Sequence, residues 1–309
     1  MNKPRHSFSG YRRLMQTSRK TLFIFIEGYK DRYIYSKITE SACQPHSINY
    51  QVVTAAEFTE GTGGKEALLE FFTYLKWQSS LINKFQGKTT VSVFFLDKDV
   101  DDFLRIRRHS KHIIYTGMYH LENYLFIHGK LSEAAAATSL LDIGSTRAGL
   151  GESTVWRKRA AENWKTWIKL CLFSRARGAK SISNYKQKRS QINDGVYGPV
   201  KEDEYLSRLS TLQRQSGMQT AQFQRSFTRL SRKVDRLYSM NQYDLVFKGR
   251  WYACFLADDI KRISDNRRFD HRRLEKRILS NLQLTLDFND LWVEKFKSPI
   301  RRLLAEADI

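Results

Sequence analysis

Two apolar runs of this chain each end on carboxylates. Leu22 to Asp31 reads LFIFIEGYKD, and Val91 to Asp102 reads VSVFFLDKDVDD. Five or six apolar residues in a row suit a strand buried on both faces of a parallel sheet, and ligands gather at the carboxyl ends of such strands. Glu27, Asp97 and Asp99 are therefore expected to converge there, although they are far apart in sequence. Clustered carboxylates repel one another unless a divalent cation sits among them. Hard oxygen donors with few neutral ligands nearby favour Mg²⁺ or Mn²⁺ over zinc. The chain reads as a metal-dependent enzyme.

The elements that must position these acids alternate between strand and helix. Thr21 to Ile26, Ile48 to Thr54, Thr90 to Leu96 and Ile113 to Thr116 read as strands. Asp31 to Thr39 and Lys65 to Gln78 read as helices, the second with apolar positions 68, 71, 72 and 75 on one face. Alternation of this kind predicts an α/β fold, a parallel sheet with right-handed crossovers flanked by helices. The Gly- and Ser-rich stretch 142–153 places a domain boundary near residue 145, followed by a mainly helical, basic domain over 146–309; residues 190–200 read as an exposed loop.

Asp97 and Asp99 are the expected metal holders, since two carboxylates two residues apart on an extended segment face the same side. Glu27 would hold a metal or move a proton. Asp101 extends the acidic run as a further candidate metal ligand, with solvation as its plain alternative. Lys98 would touch a phosphate or soften the repulsion between its neighbours. Glu122, after the fourth strand and beside Tyr119 and Tyr124, is a further candidate metal ligand or a helix cap. His112 and His120 lie near the same edge and stay secondary, because lone histidines are mostly structural.

The order Glu27-Gly28, Asp97-Lys98-Asp99 and Glu122-Asn123-Tyr124 resembles the TOPRIM domain of topoisomerases, DnaG-type primases and OLD-type nucleases. More narrowly it resembles the TOPRIM-like DUF4435 family, which includes nuclease effectors of the PARIS anti-phage system. The resemblance covers about the first 130 residues; beyond them only a helical, basic half containing Lys248-Gly249-Arg250-Trp251 corresponds. It implies a Rossmann-like TOPRIM sheet and a Mg²⁺-dependent phosphodiesterase, with Glu27 as general acid or base or as a second-metal ligand. It implies further a toxic defence effector that cleaves RNA, with tRNA the leading candidate, and blocks translation. An ABC-type ATPase partner would restrain it until release, and the active form would be a homodimer.

Charge supports a polyanionic substrate. Net charge is +21, with 20 basic against 14 acidic residues in 1–150 and 33 against 18 in 151–309. Between Trp156 and Arg189 lie eleven Lys or Arg and a single acid, Glu162, interleaved with Trp156, Trp164, Trp167, Phe173 and Tyr185. Basic groups attract phosphates and aromatic rings stack on unpaired bases, although such rings also build cores. Arg157, Lys158, Arg159, Arg175 and Arg177 are the expected nucleic-acid contacts here, continued by Lys186, Lys188 and Arg189. Lys248 and Arg250 flank Gly249, whose missing Cβ would allow close approach to a phosphate.

Several classes are disfavoured. No run approaches the roughly 18 apolar residues of a membrane span. The acid-free, Arg-rich first twenty residues read as a basic arm rather than a transit peptide. Cys43, Cys171 and Cys254 stand singly, which suits a reducing cytoplasm and not a zinc site. Gly61-Thr62-Gly63-Gly64-Lys65 lacks the Walker spacing and the Ser or Thr after its lysine, so it reads as a turn before a helix. Two competing functions stand beside an RNA-cleaving nuclease: an OLD-like nuclease acting on DNA, and a non-catalytic nucleic-acid-binding sensor whose acids are structural. Strand passage or priming would need a tyrosine or a zinc module that is not found.

Overall fold

A computed structural model describes residues 5–44, 47–58, 64–179, 183–264 and 271–309, with backbone alone at His271 and Arg272. The chain is α/β and forms two compact units. The first comprises Met1–Lys98, Arg107–Thr116 and Asp287–Ile309, and the second Asp99–Ile106 and Gly117–Leu286. The sequence placed one boundary near 145; the chain instead passes between the units at 98/99, 106/107, 116/117 and 286/287.

The first unit is built on a five-stranded sheet: β1 (Leu22–Ile26), β2 (Tyr50–Thr54), β3 (Ile82–Phe85), β4 (Lys88–Leu96) and β5 (Ile113–Tyr115). β1 lies between β2 and β4 and is parallel to both, with Ile26 opposite Thr54 on one side and Phe95 on the other. β5 runs parallel to the end of β4. β3, which sequence reading missed, pairs antiparallel with the start of β4 through a tight turn at Gln86 and Gly87, both at positive φ. Its residues INKF carry too little apolar alternation to announce a strand, and the Gly turn is its only signal.

Alternation along the strands sends side chains to two faces. On one face Phe25 stacks on Phe94 at 4.7 Å between centroids, and both meet Phe71 of α3 (Gly64–Trp77). Tyr11 of α1 (Phe8–Thr17) closes this core against Phe25 and Phe58. The expected basic arm is thus in part a packed helix, N-capped by Ser7 and burying Phe8, Tyr11 and Met15. On the other face Tyr35 of α2 (Arg32–Cys43) stacks on Phe95 at 4.5 Å. Phe296 of α14 (Glu294–Glu306) packs against both, so the end of the chain belongs to the sheet and not to the helical half.

The second unit is helical: α4 (Asp101–Leu104), α5 (Leu121–His128), α6 (Leu131–Ser139), α7 (Ile143–Leu150), α8 (Ser153–Asn163), α9 (Lys165–Ala176), α10 (Glu202–Ser216), α11 (Thr220–Ser239), α12 (Gly249–Ile263) and α13 (His271–Leu284). α12 forms its centre and buries Trp251, Tyr252, Phe255, Leu256 and Ile260. Trp156 packs on Phe126 and Tyr252, and Trp164 on Trp251 and Phe255. Trp156, Trp164, Trp167 and Phe173 are at most 1 % exposed. These four aromatics are therefore core, which leaves no ring face for stacking on bases. Cys43, Cys171 and Cys254 are buried thiols, and among the described residues no helix is long and apolar enough to cross a membrane.

Candidate metal and phosphate site

In the first unit the sheet order makes β1 the turning point. The chain leaves β1 toward β2 and returns to place β4 on the opposite side of β1, the topology in which α/β folds bind ligands at the carboxyl ends of the strands. Glu27 closes β1 and Asp97 closes β4. They meet: Glu27 Oε1 accepts a hydrogen bond from the Asp97 amide at 2.7 Å. The Lys98 amide donates to Thr116 Oγ1 at 2.8 Å, just past β5. The half-buried Lys65, in the first turn of α3, donates from Nζ to the Asp97 carbonyl at 2.6 Å and lies 5.6 Å from the Tyr115 ring. Three strand ends and one helix start thus fix the backbone at 97–98.

Lys65 was not foreseen as a site residue. Its signal in the sequence is the glycine cluster before it, which marks the start of a helix. Gly61, Thr62 and Gly63 lie outside the described residues, and Gly64 opens the helix at φ +56°.

In the second unit a chain of ionisable side chains runs Asp99, His120, Glu122, Arg250. Asp99 is left-handed at φ +52°, an uncommon conformation for a residue with a Cβ and one that Asp tolerates better than most. The expectation that Asp97 and Asp99 share a face of an extended segment therefore fails, because the backbone turns at Asp99. Its amide donates to the Tyr119 carbonyl at 2.7 Å and its Oδ1 lies 2.7 Å from His120 Nε2. His120 Nδ1 is 3.5 Å from Glu122 Oε2, and Arg250 Nε donates to Glu122 Oε1.

Burial acts to raise the pKa of Glu122, but the hydrogen bond and charge of His120, joined by Arg250, outweigh it. They hold the carboxyl well below the usual carboxylate range. His120 and Arg250 each lie against a Glu122 oxygen, so a metal at Glu122 would compete with them.

A buried network sets this chain of charges. Asp244 accepts from Asn123 Nδ2 at 3.0 Å, Tyr252 Oη at 2.9 Å and Arg157 Nη1 at 2.7 Å, and its carbonyl takes the Tyr119 amide. Burial pushes the Asp244 carboxyl up although Arg157 pulls it down. Asn123 Oδ1 in turn accepts from the His120 amide at 3.1 Å. Gly249 lets α12 touch this turn: a Cβ there would sit 2.4 Å from the Asn123 amide nitrogen. The glycine expected to admit a phosphate admits the backbone of Glu122-Asn123 instead, and so sets Arg250 on Glu122.

Lys248, half-buried, donates from Nζ to the Tyr185 carbonyl at 2.7 Å. Burial and Arg250 lower its pKa, against the pull of Glu122 and Asp99. The Tyr185 ring stacks between Tyr119 at 4.9 Å and Trp251 at 5.4 Å, and Tyr119 leans on His120 at 4.4 Å.

The remaining expected residues divide. Asp101 is buried in the first turn of α4. Arg157 is buried on Asp244 and is a structural cation, which overturns its assignment to nucleic acid. Arg159 is exposed, near Asp259 and over the Tyr197 ring. Lys158, Arg175, Arg177, Lys186, Lys188 and Arg189 are exposed. His120, kept secondary on sequence, is central here, and only its place three residues before Asn123 hinted at the helix start it occupies. The sequence matches no known family model and no curated protein.

Proposed function

We propose that this protein is a divalent-metal-dependent phosphodiesterase that cuts nucleic acid. The observation that carries the reading is the meeting of Glu27 with the Asp97 amide at the turning point of the sheet, where α/β enzymes bind ligands. The donors suit a hard cation: Glu27 and Asp97, at the ends of adjacent strands, bring carboxylate oxygens. At the strand ends of the first unit, Asp97 would hold Mg²⁺ or Mn²⁺, with Glu27 as a further oxygen donor. Such an ion neutralises phosphate charge and makes a bound water more acidic.

The protein's own groups supply the rest. Lys65 and Lys98 place positive charge beside Asp97, where a phosphate oxygen would carry its negative charge. His120, hydrogen-bonded to Asp99, is placed to hold or move a proton. Glu27 orients the Asp97 backbone and would help hold a metal or move a proton. Net charge of +21 draws a polyanion to the surface.

The resemblance to the TOPRIM-like DUF4435 family carries the reading further, to a toxic anti-phage effector. In that reading it cleaves host tRNA as a homodimer in the cytoplasm once an ABC-type ATPase partner releases it. DNA is the second substrate to test, because OLD-type nucleases share the acid motifs. Purified wild type and Asp97→Asn would be incubated with labelled total tRNA, plasmid and single-stranded DNA, in Mg²⁺ or EDTA. Discrete tRNA fragments that need both Mg²⁺ and Asp97 support the proposal. Undegraded tRNA beside nicked plasmid selects the DNA enzyme, and intact substrates throughout, with tight salt-sensitive binding by both proteins, select a sensor without catalysis.

A further inference from the structure

α11 carries four arginines on one line. Arg225, Arg229, Arg232 and Arg236 are spaced four, three and four residues apart, which at 3.6 residues per turn places them within an arc of about 60°. All four are exposed, and among the described residues none makes an ion pair. The opposite face is anchored: Phe223, Leu230, Val234 and Tyr238 are buried, Phe223 packs on Phe173 at 5.0 Å, and Tyr238 Oη donates to the Ala161 carbonyl. The stripe is thus held on a rigid helix. The helix has a single acid, Asp235, and it is turned toward α9, where Lys165 and Lys169 hold it at 3.1 and 2.8 Å. A fifth guanidinium stands alongside, since the exposed Arg177 donates to Ser226 Oγ at 3.0 Å.

A face that only needs solvation mixes signs, because like charges three and four residues apart destabilise a helix and opposite charges support it. Here the repulsion is uncompensated, and every member is the residue whose planar guanidinium grips phosphate with two parallel hydrogen bonds. The first and last arginines are eleven residues apart, or about 16 Å along the axis. Nucleic-acid strands carry a phosphate each ~3.4 Å of duplex axis, so the stripe faces about five phosphates of one strand.

We infer that the outer face of α11, with Arg225, Arg229, Arg232 and Arg236, is a docking surface for the sugar-phosphate backbone of a nucleic acid. The choice of ligand agrees with the proposed function and deepens it, but binding here does not depend on cleavage. The contacts are to phosphates, so they supply affinity and register rather than sequence choice.

The test is binding in EDTA, where metal-dependent cleavage is silent. Fluorescent total tRNA and a duplex DNA of similar length are titrated with wild type, with the quadruple Arg→Gln variant at 225, 229, 232 and 236, and with a control. The control carries Lys130→Gln, Arg273→Gln, Lys276→Gln and Arg277→Gln, which removes the same charge elsewhere. Because all substituted side chains are exposed, thermal melts should coincide. The stripe variant should bind at least tenfold more weakly and lose about 3 from the slope of log K against log salt, at 0.7–0.9 per phosphate contact. The control should keep the wild-type slope. Loss in tRNA alone or in both ligands says which nucleic acid uses the surface. Wild-type affinity in the stripe variant, an equal loss in the control, or wild-type binding of poly-glutamate in preference to both nucleic acids would overturn the inference. A protein that cleaves nothing yet loses tRNA binding with the stripe keeps this inference and fails the proposed function; one that cleaves normally without the stripe does the reverse.

Discussion

The two halves of the acidic motif are held in different ways. In the first unit Glu27 and Asp97 stand at the ends of adjacent parallel strands, and the bond between them runs from backbone amide to side chain. Strand order and length place them, and changing a neighbouring side chain moves little. In the second unit Asp99, His120, Glu122 and Arg250 form a line of ionisable side chains fixed by packing from sequence-distant positions, Asp244 and Gly249 above all. The first arrangement is rigid by topology. The second is rigid only while a buried polar network stays complete, and it is the half that substitutions should disturb.

The largest effects test the first half. Glu27→Gln keeps an oxygen that can accept from the Asp97 amide, so its melting temperature should match wild type. Cleavage should nevertheless fall by roughly 10²–10⁴-fold, the range for loss of a positioned acid or base. An equal loss of stability and activity would reduce Glu27 to a structural cap.

Asp244→Ala should break the second half. It leaves Arg157 buried without its anion and Asn123 with the Phe247 carbonyl as its remaining acceptor, a change that costs about 3–5 kcal/mol in comparable buried pairs. Chemical denaturation reads this directly. Gly249→Ala is milder, at about 1–3 kcal/mol, because a Cβ pressed on the Asn123 backbone must push α12 aside. If both variants unfold like wild type, the network does not hold the charged line.

The smallest effect is on pH. The Glu122 pKa is depressed in the folded protein, so its contribution to stability is complete above the unfolded value of about 4.3 and is lost as pH falls toward the folded value. Between pH 5 and pH 3 wild type should lose stability more steeply than Glu122→Gln in parallel denaturant titrations. Parallel curves would mean that His120 and Arg250 do not stabilise the Glu122 anion.

The same contrast explains what the sequence disclosed. The four parallel strands and the placement of Glu27 and Asp97 were legible because a buried parallel strand announces itself as an apolar run and its end is marked by the first charge. The location of Glu122 after a short strand was legible for the same reason. Its partnership with Arg250 was not, because 128 residues separate them and only a glycine without an evident turn marks the contact. Arg157 looked like a phosphate ligand since its buried anion, Asp244, is 87 residues away. The tryptophans of the basic stretch carried two readings at once, and only burial separates core from platform. The turn of the backbone at Asp99 was not legible, because a single left-handed residue leaves no pattern in sequence.

The most direct test of the account is a single-turnover cleavage assay on end-labelled tRNA with wild type and Glu27→Gln, each with Mg²⁺ and with EDTA. Rapid formation of discrete fragments by wild type in Mg²⁺ alone, and none by the variant at equal tRNA affinity, is the predicted result. Fragments formed equally in EDTA, or equally by Glu27→Gln, would contradict a metal-dependent site at the ends of β1 and β4.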